Sequence, residues 1–172
     1  MIAAITWFFT TVQSIEYFNK LNGRNRNRYY MFMLWTLGAT MAIFLSANLY
    51  TTFIFFEVMT FTSYVLVIHG ESEKAIDASK SYLGFGVLGG LVTLMGLFML
   101  QANIGTLEMD QILSAIQSSG TSYGMVLASG LLILFGFGVK AGMYPLHTWL
   151  PKAYVAAPEP ATALLSVVLS KA

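Results

Sequence analysis

The stretch that decides the fold is Leu131-Leu-Ile-Leu-Phe-Gly-Phe-Gly-Val-Lys-Ala-Gly-Met-Tyr-Pro145. It is apolar or glycine until Lys140, where a side chain that hydrocarbon rejects interrupts the run. Gly136, Gly138 and Gly142 weaken the helix, and Pro145 both lacks an N–H and clashes with the carbonyl of residue 141. The pattern predicts a spanning helix that breaks just after a lysine. Such breaks are tolerated where the freed backbone is buried in protein or lines a wet cavity, which makes the lysine a candidate site.

Outward from that stretch the chain keeps the same character. Of its 172 residues, 56% are hydrophobic and 10% charged, with a mean hydropathy of +0.67. An ordinary soluble domain carries about 25% charged residues. The net charge of +1 supplies no basic surface for phosphate neutralisation, which excludes nucleic acid as a partner. Without cysteine there is no disulfide framework, no thiolate-bound iron–sulfur cluster and no Cys-rich zinc site. No metal-ligand spacing or Ser/His/Asp set is present either, so no catalytic group, cofactor or metal is expected on this chain. Electron transfer falls to other chains.

A helical crossing needs about 20 apolar residues. Apolar stretches lie at about Met1–Phe18, Tyr30–Asn48, Leu49–His69, Tyr82–Gln101 and Gly124–Leu146, and a last one opens near Pro160. They predict an all-α, polytopic transmembrane helix bundle of about six spans in a lipid bilayer, with one discontinuous helix near Lys140–Pro145. Met1–Phe18 has no basic n-region and carries Glu16, so it reads as a retained span rather than a cleaved signal. Asn22-Gly-Arg-Asn-Arg-Asn-Arg28, Gly70–Ser81 and Ala102–Tyr123 read as loops, and Ser46 with Asn48 marks a tight helical hairpin. Lys20, Arg24, Arg26, Arg28, Lys74, Lys80 and Lys152 all fall in the first, third and fifth connections, which places that side in the cytoplasm and Met1 opposite. A span starting near Pro160 puts Ala172 about 18 Å into the bilayer. A free carboxylate is costly there, so the polypeptide is expected to continue.

Three ionisable side chains are expected at membrane depth: Glu57, Lys140 and Lys171. Each costs about 2.5–3.5 kcal/mol or more at a helix centre, which makes each a site hypothesis. Glu57 sits mid-span, either as a functional carboxyl or as a structural one hydrogen-bonded between helices. Lys140 reads as a relay residue whose proton affinity responds to burial and to a nearby carboxylate, or as a lysine snorkelling to the interface. Lys171 is a third midplane cation or a solvated tail. His147, Trp149 and Tyr154 fall at the expected cytoplasmic interface, where Trp and Tyr are usually anchors and a histidine either loads protons at a channel mouth or is merely solvated. Gly84-Phe-Gly-Val-Leu-Gly89 has nucleotide-loop spacing but lies inside an apolar span; with Gly90 and Gly96 it reads as a helix-packing face.

The run from Lys140 to Leu165, Lys-Ala-Gly-Met-Tyr-Pro-Leu-His-Thr-Trp-Leu-Pro-Lys-Ala-Tyr-Val-Ala-Ala-Pro-Glu-Pro-Ala-Thr-Ala-Leu-Leu, together with Phe56-Glu-Val-Met-Thr-Phe-Thr-Ser-Tyr64, resembles the antiporter-like subunits of respiratory complex I, of Mrp-type cation/proton antiporters and of membrane-bound hydrogenases. The resemblance implies a fold of two inverted five-helix repeats. Residues 1–29 are then a leading transmembrane helix with its basic cytoplasmic loop, and residues 30–172 most of the first repeat, its last helix truncated. It implies a proton-translocating subunit in which Glu57, Lys140 and Lys171 relay protons. The partners implied are other membrane subunits of a multisubunit complex, with protons, or alternatively sodium, as the transported ion. The cell membrane of a bacterium or archaeon is the implied location. Lys152 and Glu159 depart from residues frequent in the family, both in a loop away from the relay. The alternative is a structural membrane module that assembles such a complex without conducting.

Overall fold

The computed structural model describes residues 2–20 and 25–169, and these are helical almost throughout. Helices α1 (Ile2–Lys20), α2 (Arg26–Leu45), α3 (Leu49–Val67), α4 (Glu73–Ile104), the short α5 (Ile112–Ser118) and α6 (Tyr123–Ala141) precede the break. A 3₁₀ turn at Leu146–Thr148, α7 (Trp149–Ala156), α8 (Glu159–Leu164) and a wider π-type segment at Leu165–Leu169 follow it. Leu49–Gly70, Glu73–Ile104 and the broken stretch Tyr123–Ala156 are long and apolar enough to cross a bilayer by length and composition. The architecture is the helical membrane bundle expected from the sequence.

Helix α4 is the spine. It packs on α3 along one face and on α6 along another, and its N-terminal part packs on α7. The glycines make this possible. A Cβ on Gly86 would lie 2.8 Å from the Thr60 methyl of α3, and one on Gly89 or Gly96 would lie 2.8–2.9 Å from backbone carbonyls of α6. Removing the side chain at these positions lets the helix backbones approach, as membrane interfaces favour. Gly84, grouped with this face in the sequence, instead borders open space.

Of two stretches expected as loops, one is largely helical and the other half so. Residues 70–81 are mostly helix, because Ser72 caps α4 by accepting the Ala75 N–H at 3.1 Å and Glu73 sits in the first turn. The resulting 32-residue helix is about 48 Å long, against a hydrocarbon core of about 30 Å. Its charged first turns therefore project beyond the apolar zone. Residues 102–123 contain the end of α4 and all of α5.

The hairpin at Asn48 forms as expected. The Asn48 side chain caps α3 by accepting from the Tyr50 N–H at 2.8 Å, while its amide donates to Glu108 at 2.7 Å. Backbone bonds from Leu49 to Leu107 and from Met109 to Ala47 complete a clasp between this hairpin and the 102–123 connection. At the other end of the bundle, Arg28 pairs with Glu71 at 2.6 Å and Lys152 with Asp77 at 3.7 Å. Basic residues assigned to one side by loop alternation thus meet at one end.

Candidate functional site

The break that the sequence predicts is present, and its causes are local. Helix α6 ends at Ala141; Gly142 follows with φ of 75°, a left-handed conformation that closes helices at little cost only for glycine. Met143 N–H returns to the Gly138 carbonyl at 2.8 Å, satisfying an end carbonyl, and the Tyr144–Pro145 peptide is cis. The chain resumes as helix at Trp149. Trp149, expected as an interface anchor, is instead buried at 2% exposure, because the break turns its indole inward. Its Nε1 donates to the Val139 carbonyl at 2.9 Å and its ring meets Tyr82 edge-to-face at 5.2 Å.

Lys140, a last-turn residue of α6, is 4% exposed, so it does not snorkel to solvent within this chain. Its ammonium donates to the Tyr82 hydroxyl and lies 4.0 Å from the Tyr82 ring centroid and 6.0 Å from the Trp149 ring. Tyr82 in turn shares a 2.6 Å hydrogen bond with Ser63 of α3, whose hydroxyl reaches the Met59 carbonyl at 2.6 Å. Desolvating an ammonium requires such compensation: one hydroxyl acceptor and two aromatic faces.

Glu57 precedes Ser63 on the same helix, with one carboxylate oxygen buried and without a hydrogen-bond partner among the described residues. A Cβ on Gly90 would collide with that carboxylate, so α4 leaves it a niche where a side chain would stand. The carboxylate and the Lys140 ammonium attract each other electrostatically. An unsatisfied carboxylate oxygen and an ammonium with one neutral acceptor leave polar capacity that bridging water suits.

The structure therefore gathers Glu57 and Lys140, both singled out in the sequence, around one stretch of α4. His147 sits beyond the break, exposed, its ring stacked on Tyr144 at 5.7 Å. Lys171 lies outside the described residues. Sequence reasoning missed Tyr82 and Ser63, which are uncharged and so carry no signal of their own within an apolar run. Among the described residues, no group of three or more His, Asp or Glu side chains is placed to hold a metal.

Residues 46–172 match the family described as NADH:quinone oxidoreductase/Mrp antiporter, TM. The chain is 32% identical over 148 residues to a Na(+)/H(+) antiporter subunit of Bacillus subtilis, covering 86% of this chain and 30% of that protein. It superimposes on a chain of the membrane-bound sulfane sulfur reductase, an archaeal respiratory membrane complex, with a TM-score of 0.77 and 29% identity, covering 83% of this chain and 29% of that one. A chain of respiratory complex I from Thermus thermophilus gives the same TM-score of 0.77 at 17% identity, over 98% of this chain and 37% of that one, and so shares the fold. The sequence spans less than a third of the length of the Bacillus subtilis relative.

Proposed function

This chain belongs to the NADH:quinone oxidoreductase/Mrp antiporter transmembrane family, and on that basis we propose that it is part of a proton-translocating, antiporter-like subunit whose relay groups are Glu57 and Lys140. The observation that carries the reading is the position of Lys140: a buried amine at the end of a broken spanning helix, packed on the same helix α4 that leaves a niche for the Glu57 carboxylate with its buried oxygen. Intramembrane charges are retained at this cost where they do work, and a lysine, unlike an arginine, releases its proton readily once desolvated.

In this reading a proton reaches Lys140, the charge of Glu57 sets how firmly the amine holds it, and the next acceptor along the membrane plane takes it. Lys171 is proposed as that acceptor on the family resemblance, and His147, an exposed imidazole beyond the break, as a group at the uptake mouth. Residues 30–172 make up most of one five-helix repeat, with residues 1–29 leading into it. The working partners are other membrane subunits of a multisubunit complex, and the ion is the proton, with sodium as the counter-ion where the parent is an antiporter. The family setting and the relatives' sources support the cell membrane of a bacterium or archaeon as the location.

The test is Lys140→Ala in the intact complex, with proton translocation followed in sealed vesicles. Loss of translocation with the complex still assembled supports the relay. Normal coupled turnover contradicts it and leaves a structural module, with buried charges that only hold helices together.

A further inference from the structure

We infer that Tyr82, backed by Ser63, is the positioning residue for Lys140, holding the amine in both of its protonation states. The inference rests on the relay reading above.

The geometry is specific to a hydroxyl. Tyr82 is 1% exposed and its OH touches two groups, the Lys140 amine on one side and the Ser63 hydroxyl on the other. An ammonium has three donors and no acceptor, so toward charged Lys140 the phenol oxygen accepts and its own proton points to Ser63. Ser63 then donates to the Met59 carbonyl at 2.6 Å, which ends the chain. A neutral amine carries a lone pair, so toward neutral Lys140 the phenol turns its proton to the nitrogen. Ser63 then turns its proton to the phenol oxygen, and the Met59 carbonyl it releases still accepts from the Thr62 hydroxyl at 3.2 Å. No donor or acceptor of the hydroxyl pair is stranded, and only hydrogen positions move. The aromatic faces of Tyr82 and Trp149 favour the cation alone and cannot serve the neutral state. Because the hydroxyl chain ends on a backbone carbonyl, it holds the amine and does not conduct toward Glu57. The titratable and charged groups facing this station are Glu57 from α3 and Tyr154 from α7, besides Lys140 itself.

The experiment compares Tyr82→Phe, Ser63→Ala and Lys140→Ala in the intact complex, reading assembly, the rate of proton translocation and its pH profile. Phenylalanine keeps the ring and its cation–π attraction while deleting the hydroxyl. The expected result is an assembled complex whose translocation falls about tenfold, the scale of one hydrogen bond to a charged group, with the pH profile displaced from that of the parent. Ser63→Ala gives a smaller effect of the same kind. A purely structural tyrosine lowers the amount of complex but leaves the pH profile of what assembles unmoved. A parental rate and profile in Tyr82→Phe, with translocation lost in Lys140→Ala, overturns the positioning role and leaves the relay standing. Normal translocation in Lys140→Ala overturns both. If Tyr82→Phe does not assemble, Ser63→Ala decides: a displaced profile supports the role, an unmoved one overturns it.

Discussion

Across the gap between α6 and α7, the Trp149 indole N–H donates to the Val139 carbonyl at 2.9 Å, one residue before Lys140. A helix that stops at Ala141 leaves carbonyls of its last turn short of α-helical partners; that of Val139 accepts the Gly142 N–H at 3.2 Å, and the indole adds a second bond from the far side of the break. The same ring closes the pocket around the Lys140 amine. Trp149 therefore fixes the broken ends and the lysine together.

Trp149→Phe keeps most of the packing but removes the indole bond, leaving the Val139 carbonyl with the Gly142 N–H at 3.2 Å alone. Loss of one such hydrogen bond costs about 0.5–1.5 kcal/mol. The expected outcome is a lowered thermal midpoint of the purified complex, with a larger loss of translocation than of assembly. An unchanged midpoint contradicts the bridging role.

Gly90 and Gly84 offer a matched comparison on one helix. A methyl at Gly90 collides with the Glu57 carboxylate, whereas one at Gly84 meets nothing within 4 Å. Gly90→Ala is expected to displace the carboxylate and depress translocation strongly, while Gly84→Ala tracks the parent protein. Equal behaviour of the two variants argues against a fixed Glu57 position.

Asn48 serves two connections at once, capping α3 and holding Glu108. Asn48→Ala removes both, at a cost of about 1–2 kcal/mol for the cap alone. Asn48→Asp preserves the cap but sets a second carboxylate against Glu108, so relief of its defect by Glu108→Gln is expected. Thermal denaturation of the single and double variants checks this, and simple additivity contradicts the clasp.

Much of this is legible in the sequence because its causes are local. Glycine, lysine and proline within a few residues encode the break at Gly142, and a lone carboxylate mid-span marks Glu57. The start of α4 escapes hydropathy, which marks where the apolar zone begins, at about Tyr82, and not where the helix does; the Ser72–Glu73 capping pair carries that signal. The lysine station is invisible for a different reason. Tyr82 and Lys140 are 58 residues apart, and an uncharged tyrosine in an apolar run gives no sign of a polar partner. Only the packing of α3, α4 and α6 turns its hydroxyl onto an amine. Trp149 is hidden in the same way, since it takes the geometry of the break to bring it inside.

The most direct measurement is proton translocation by the intact complex carrying Lys140→Arg. Arginine keeps a positive charge at the end of α6 and stays protonated, so it separates charge from proton transfer. An assembled complex with translocation lost is the expected outcome of a lysine relay. Translocation at the parental rate in an assembled Lys140→Arg complex rules that relay out, because a permanent cation then suffices.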